Sequence, residues 1–249
     1  MDAQGWHLDL DRLAGAITAQ SRALVINSPA NPTGWTAGEA DLSAILAIAR
    51  RHGLWIIADE IYGRFVHDPV LTVGTGRAPS FRDVMAEDDR IMFVQTFSKN
   101  WAMTGWRLGW LESPPALGQV IENLVQYSTS GTPAFVQRAG VAALDEGEGF
   151  VARQIERARE GREIVGRLTE TGRVELPPPA GAFYAFLKVR DVANPQDLAV
   201  RLIETANVGL APGFAFGDGG EDYLRLCFAR KSDDLKEAVS RLSAAVRQL

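Results

Sequence analysis

The sequence predicts an α/β fold: a partial, mostly parallel sheet with helices on both faces, followed by a smaller C-terminal α+β domain. Short apolar runs at residues 22–27 and 54–58 are typical of buried strands, and an amphipathic segment at 36–52 lies between them. A strand–helix–strand unit of this kind places its strands parallel, with a right-handed crossover. The pattern of elements changes near residue 146. We therefore expect a partial large domain at 1–145 and a small domain at 146–249.

The elements of the first part follow in order. The helix at 36–52 begins with Thr36 and Glu39, which match a capping box, and Gly53 ends it. Residues 91–96 predict a third strand, and 106–111 a fourth. The connection between these two strands is too short for a crossover helix, so we expect them to be antiparallel.

The rest of the chain predicts more helices than strands. After three helices the pattern alternates between strand and helix, and an amphipathic helix closes the chain. The predicted helices are 115–127, 133–144, 149–171, 195–206 and 232–246, and the predicted strands are 182–189 and two near Val208 and Tyr223.

Composition limits the classes of partner. The chain has 249 residues, 46% hydrophobic and 23% charged, and its net charge of -5 includes no basic block, so we expect no nucleic-acid partner. The single cysteine, Cys227, forms no internal disulfide or cysteine metal cluster, so we expect no metal and a cytoplasmic location. Residues 1–6 are polar and unlike a signal peptide, and no apolar run reaches the ~20 residues that span a bilayer.

Chemistry is concentrated in residues 96–109, where a predicted strand delivers Lys99 into a hydroxyl-rich turn. A Schiff base needs a lysine that loses its proton near neutral pH, and burial or nearby cations lower the pKa of such an amine. A bound phosphate needs hydroxyls and a planar guanidinium, which Thr96, Ser98 and Arg107 supply. The alternative is a solvent-exposed loop lysine with a surface arginine.

Polar residues also follow the two earlier strands. Asn31 lies in a loop with two turn signals built from Asn, Pro and Gly, and ligands of open α/β sheets bind beyond the carboxyl ends of strands. Asp59 and Tyr62 follow the second strand, where a carboxylate needs a cationic partner such as a protonated pyridine nitrogen. The alternatives are a tight turn at Asn31, and a helix-capping aspartate with a surface tyrosine.

Arg225 lies in the alternating segment 223–228, opposite Leu224, Leu226 and Phe228. It is either an exposed strand residue or a bidentate clamp for a substrate carboxylate.

Together and in this order, these segments resemble the class I/II pyridoxal-phosphate-dependent aminotransferases of fold type I, the aspartate aminotransferase type. The resemblance extends from about residue 6 to the end. The lysine segment matches the family signature at every restricted position except Thr96, where the family usually has Ser or Gly. Residues 102–107 resemble the bacterial branch that includes broad aspartate, alanine and aromatic aminotransferases.

The resemblance implies a role for each of the ring-facing residues. Lys99 forms the Schiff base with pyridoxal 5'-phosphate and then moves the proton between Cα and C4′. Asp59 pairs with the pyridine nitrogen and keeps it protonated, so that the ring accepts electrons. Tyr62 and Asn31 hydrogen-bond the ring oxygen O3′.

The resemblance also implies how phosphate and substrate bind. Thr96, Ser98 and Arg107 would hold the phosphate, with the contact of Thr96 altered rather than lost. Arg225 would grip the α-carboxylate of an amino acid, assisted by Asn31. The substrates would be an amino acid and a 2-oxo acid.

Chains of this family normally begin well before the position matched by residue 1. We therefore expect this chain to lack an N-terminal arm, three strands of the large sheet and the first phosphate-binding loop. The full-length protein would be a homodimer, and activity of residues 1–249 alone would be low. The alternatives are another fold-type-I enzyme, such as a carbon–sulfur β-lyase or a cyclopropane-forming lyase, and a non-catalytic remnant.

Overall fold

The computed structural model describes residues 5–249, so the start of the polar segment predicted not to be a signal peptide, residues 1–4, lies outside the described residues. The first sheet has the strand order β1-β2-β3-β4, with β1, β2 and β3 parallel and β4 antiparallel to β3, as predicted. Within residues 5–249 the outer edges of β1 and β4 pair with no further strand. The strands are β1 (Ala23–Asn27), β2 (Trp55–Asp59), β3 (Ile91–Thr96) and β4 (Gly109–Glu112).

Five helices accompany this sheet, and the second, α2, covers one of its faces. Leu24 and Ile56 of the sheet share a buried core with Leu42 and Ile45 of α2. On the opposite face Val25 is 68% exposed. The chain therefore packs one face of the sheet more completely than the other. The helices are α1 (Leu10–Gly15), α2 (Glu39–His52), α3 (Phe97–Asn100), α4 (Gly118–Thr129) and α5 (Ala134–Glu146).

The capping box predicted for α2 is wrong. The N-cap is Gly38, whose N–H donates to the Asp41 carboxylate at 3.1 Å. The N–H of Ala37 instead donates to Ser28 Oγ at 2.9 Å, which holds the preceding residues outside the helix, and Thr36 is buried there. The predicted end is confirmed, because Gly53 has the left-handed φ of 64° that favours glycine.

The fourth strand begins later than predicted. Residues Thr104–Trp106 form a 3₁₀ turn, and Arg107 has a left-handed φ of 54°, so regular pairing starts only at Gly109. The short β4 is nevertheless antiparallel to β3, as expected.

The second part has a four-stranded antiparallel sheet of order β5-β6-β8-β7. The helix predicted at 195–206 has those bounds, whereas the long helix predicted to residue 171 ends at Gly166 and continues as the 3₁₀ turn Arg167–Thr171. The strands are β5 (Val174–Glu175), β6 (Tyr184–Val189), β7 (Ala211–Pro212) and β8 (Tyr223–Cys227), and the helices are α6 (Glu148–Gly166), α7 (Pro195–Ala206) and α8 (Ser232–Arg247).

The segment before β6 joins the two parts. The N–H groups of Ala180 and Gly181 both donate to Gly34 O, at 3.0 and 2.9 Å. The N–H of Ala182 donates to Phe65 O at 2.8 Å. These bonds fix the start of β6 against the loop that follows β1 and the segment that follows β2.

Candidate active site

The predicted site residues of the first part lie beyond the carboxyl ends of three adjacent strands. Asn27, Asp59 and Thr96 are the last residues of β1, β2 and β3. Asn27 ties two of these ends together, since its Nδ2 donates to Asp59 O at 3.1 Å and its Oδ1 accepts from the N–H of Asn31 at 2.8 Å. Asn31 and Asp59 are thereby held at the same edge of the sheet, where ligands of such sheets bind.

Asp59 is a half-buried carboxylate with few partners. Its Oδ1 accepts one long hydrogen bond, 3.5 Å from the N–H of Ile61. Burial raises the pKa of Asp59, and the Ile61 N–H and the charge of Lys99 oppose this shift. A further cation close to this carboxylate would lower its pKa and stabilise its charged form.

Tyr62 and Lys99 lie next to each other. Tyr62 is 2% exposed, and Lys99 Nζ lies 5.4 Å from the centroid of its ring. Burial raises the pKa of Tyr62. Its hydroxyl oxygen lies 3.3 Å from that of Tyr184, and either hydroxyl could donate. Tyr62 therefore stays neutral and keeps a proton to donate.

Arg225 comes from the second sheet and meets the loop after β1. Its Nη1 donates to Asn31 Oδ1 at 2.9 Å. The guanidinium carbon lies 4.6 Å from the ring centroids of both Tyr184 and Phe216, so that two aromatic faces contact it. Among the residues that the structure describes, no hydrogen-bond partner reaches the buried Nε of Arg225. The guanidinium of Arg225 is thus held in place while some of its N–H groups remain available as donors.

Thr96, Ser98 and Arg107, predicted to bind a phosphate, make mainly local contacts. Thr96 Oγ1 accepts from the N–H of Ser98 at 3.1 Å and donates to Leu108 O at 3.2 Å, so it caps α3. Arg107 is exposed, and its Nη1 donates to Thr104 O at 3.0 Å within its own turn. The structure therefore does not gather these groups around one point as it gathers Asn31 and Arg225.

A cavity of about 300 Å³ lies beside Lys99, between α3, α6 and the second sheet. Its size falls at the lower end of ligand pockets in proteins. Polar lining comes from Ser98, Thr104 and Arg157, and apolar lining includes Phe183. Lys99 is therefore not closed in on this side.

Sequence reasoning gave no individual role to three residues of the site: Asn27, Tyr184 and Phe216. Asn27 was assigned to a strand, and Tyr184 falls inside the predicted strand 182–189. The pairing of β6 with β8 brings Tyr184 to Arg225, and no local pattern reveals that pairing. The position of Asn27 at the end of a predicted strand is the sequence feature that could have indicated its place in the site.

Residues 5–249 contain neither a candidate metal site nor a membrane-spanning helix. No group of three or more His, Cys, Asp or Glu side chains there could hold a metal ion. None of the helices in that range is both long enough and apolar enough to cross a bilayer.

Comparison with known proteins points to one family. A model of the family "Aminotransferase class I and II" matches residues 1–242. Aromatic-amino-acid aminotransferase 2 of Thermococcus litoralis is 33% identical over 247 residues, and an aspartate aminotransferase of Pyrococcus abyssi is 32% identical over the same length. Each match covers 98% of this chain and 62% of the relative. The chain thus spans about three fifths of the length of these relatives.

Solved structures agree with the sequence matches. The aromatic aminotransferase of Pyrococcus horikoshii superposes with a TM-score of 0.89 at 32% identity, over 97% of this chain and 64% of that one. The N-succinyldiaminopimelate aminotransferase of Mycobacterium tuberculosis superposes with a TM-score of 0.89 at 30% identity, over 98% of this chain and 63% of that one. The predicted fold, the fold type I of these transferases, is confirmed.

Proposed function

We propose, from the premise that this chain belongs to the class I and II aminotransferase family, that its protein moves an amino group between an amino acid and a 2-oxo acid through pyridoxal 5'-phosphate. One observation carries the proposal: Asp59, Tyr62 and Lys99 lie together at the carboxyl end of one sheet, and Arg225 reaches Asn31 beside them. A carboxylate, a neutral phenol, an amine and a guanidinium match the groups of this cofactor and an amino acid.

The donor set on the ring side fits the cofactor. Asp59 is half-buried with its pKa raised by burial, so a protonated ring nitrogen would supply the cation that this carboxylate lacks. Tyr62 has a proton to donate to the ring oxygen, and Asn31 lies nearby on the same edge. When bound, the cofactor supplies an electron sink for the carbanion that forms at the amino acid's Cα.

Lys99 has two tasks in this proposal. Its amine would hold the cofactor and would move the proton at the substrate Cα. A single amine performs both tasks because it lies on the short α3 directly after β3, within reach of Tyr62. A guanidinium at this position would stay protonated and do neither.

Arg225 and Asn31 would orient the substrate. A guanidinium binds the two oxygens of a carboxylate through parallel N–H bonds, which fixes direction as well as position. The rings of Tyr184 and Phe216 already contact the guanidinium. Less side-chain entropy is then lost when the carboxylate arrives.

Thr96, Ser98 and Arg107 would contact the phosphate. In the present arrangement Thr96 Oγ1 is engaged with its own helix, and Arg107 bonds its own turn. Arg107 would therefore move to a bound phosphate, which costs side-chain entropy. This agrees with the departure of Thr96 from the family signature.

Assembly and organisation belong to the same proposal. Large apolar side chains of α4 and α5 are exposed, Leu124 at 66% and Phe135 at 72%, which supports a second copy of the chain as the partner of the full-length protein. We also propose the division at 145/146, supported by the separate sheets on either side. Cytoplasmic location rests on the single cysteine.

Borohydride reduction tests the proposal. The chain is incubated with pyridoxal 5'-phosphate, reduced and digested, and the pyridoxyl mass is mapped to one of its four lysines. We expect label on Lys99, and none in Lys99→Arg. Lys188→Arg is the matched control, since Lys188 pairs with Asp222 on the surface. Label on Lys188, Lys231 or Lys236 instead would contradict the assignment.

A further inference from the structure

Tyr184 contacts two groups of the candidate site at once. Its hydroxyl oxygen lies 3.3 Å from that of Tyr62, and its ring lies 4.6 Å from the guanidinium carbon of Arg225. It is 8% exposed and is the first residue of β6, opposite Cys227 of β8. One buried side chain therefore spans from the phenol that would face the cofactor to the guanidinium that would bind substrate.

If Tyr62 is to donate its proton to a ligand, Tyr184 must be the donor in the hydrogen bond between the two hydroxyls. A phenol has one proton, and Tyr62 cannot donate it both to Tyr184 and to a ligand. When Tyr184 is the donor, the proton of Tyr62 is free for the ligand. A phenol that accepts one hydrogen bond is also polarised into a stronger donor for the next.

The ring contact restricts Arg225. The guanidinium carbon lies 4.6 Å from the ring centroids of Tyr184 and Phe216, while Asn31 accepts from Nη1. These contacts hold the guanidinium plane without a carboxylate partner in the described part of the chain. Removal of one ring would let the side chain leave this plane.

We propose that Tyr184 is a positioning residue, whose hydroxyl directs the proton of Tyr62 toward the cofactor and whose ring holds Arg225 ready for the substrate carboxylate. The inference rests on the proposed function for what the two groups bind. The contacts themselves do not depend on it. The hydroxyl and the ring can be removed separately.

Tyr184→Phe removes the hydroxyl alone, and Tyr184→Leu removes the ring as well. With pyridoxal 5'-phosphate bound, we expect Tyr184→Phe to raise the midpoint of the cofactor's absorbance–pH titration by about half a unit or more, because Tyr62 becomes a weaker donor. Tyr184→Leu should also weaken binding of succinate, a carboxylate probe, by about tenfold, the loss expected for a cation–π contact. Tyr184→Phe should keep succinate binding near the wild-type value.

A second readout needs no cofactor. Phenylglyoxal labels arginines, and peptide mapping gives the labelling rate of Arg225 in each variant. We expect Tyr184→Leu to label several-fold faster at Arg225, while Tyr184→Phe labels at the wild-type rate. Arg241 is the internal control, since it lies on the exposed side of α8 and pairs with Glu237.

The two variants test the role of the hydroxyl and the role of the ring separately. An unchanged midpoint in Tyr184→Phe would overturn the role of the hydroxyl, and an unchanged rate at Arg225 in Tyr184→Leu would overturn the role of the ring. If Tyr184→Leu labels the half-buried Arg162 faster too, the variant has lost its fold, and Tyr184→Met replaces it. If the wild-type chain forms no cofactor absorbance, the proposed function fails for this chain, and the labelling rates still decide whether Tyr184 positions Arg225.

Discussion

The two halves of the proposed cofactor site differ in how firmly the chain fixes them. The ring half (Asn31, Asp59, Tyr62 and Arg225) is held by contacts between separate elements, such as Arg225 with Asn31 across two sheets. The phosphate half (Thr96, Ser98 and Arg107) bonds mainly within its own turn, and Arg107 is exposed. A ligand that meets the ring half finds its partners in place, whereas the phosphate half pays an entropy cost to reorganise.

The physical reason lies in the surroundings of each half. The ring half lies where the segment before β6 is hydrogen-bonded to Gly34 and Phe65, so two packed cores meet there. The phosphate half lies on the short α3 and a 3₁₀ turn beside β4, whose side chains are mostly exposed. Side chains with fewer neighbours keep more rotamer freedom.

The largest effect should come from the ring half, at Asp59. Asp59→Asn should leave the cofactor bound but lower kcat on the order of 100-fold or more, because its charge matters most as the carbanion forms. The measurement is kcat and cofactor affinity in an active preparation of the protein. Asp83→Asn, an exposed ion-pair carboxylate, is the control. An unchanged kcat would refute the role of Asp59.

Arg225 should give the next effect, and it separates binding from chemistry. Arg225→Ala should raise KM for amino acids by roughly 10- to 100-fold, the loss of about 1.5–3 kcal/mol from charge-assisted hydrogen bonds. Amines without a carboxylate should be comparatively unaffected. Equal losses for both kinds of substrate would indicate a structural arginine.

The free energy of unfolding should depend on pH through His67, which packs beside the ring half. Its Nε2 lies 2.7 Å from Ala182 O, two residues before Tyr184, and within residues 5–249 its buried Nδ1 has no partner. Burial lowers the pKa of His67 to about 4, helped by the charges of Arg162 and Arg159 and opposed by the bond to Ala182. The folded state therefore favours the neutral ring.

Because the folded pKa is depressed below the unfolded value of about 6.5, the unfolded chain binds the extra proton between these values. The stability is fully present above about pH 6.5 and is lost as pH falls toward 4, by about 3 kcal/mol. Urea unfolding across this range measures it. His67→Gln should flatten this dependence, and His52→Gln, on the exposed end of α2, should not. An equal slope in wild type and His67→Gln would exclude His67 as the cause.

The smallest effect should come from the phosphate half, at Arg107. Arg107→Ala should weaken binding of pyridoxal 5'-phosphate by only several-fold, about 1 kcal/mol, because an exposed guanidinium is screened and must be ordered by the ligand. The loss should shrink at high salt. Arg247→Ala on α8 is the control. A loss of binding energy as large as that caused by Arg225→Ala would show that the side chains of both halves are equally well ordered before the ligand binds.

Reasoning from sequence found the elements better than their ends. The parallel block of three strands, the antiparallel fourth strand and helix α7 were predicted and are confirmed, since apolar periodicity reports burial of whole elements. The predicted start of α2 was wrong because the N–H of Ala37 donates to Ser28, which lies outside the local capping sequence. A capping pattern in sequence cannot register such a competing tertiary contact.

The sequence by itself determined the α/β class and which residue types follow each strand, because periodicity and turn residues are local properties. The resemblance of its motifs to a known family implied the fold type. It placed Asn31, Asp59, Tyr62 and Lys99 at strand ends, and their roles stay predictions. Only the tertiary structure decided that Tyr184 joins Tyr62 to Arg225 and that Arg107 bonds its own turn. Such contacts depend on how β6 meets β8 and on which side chains the packing leaves exposed, and neither is encoded in a local pattern.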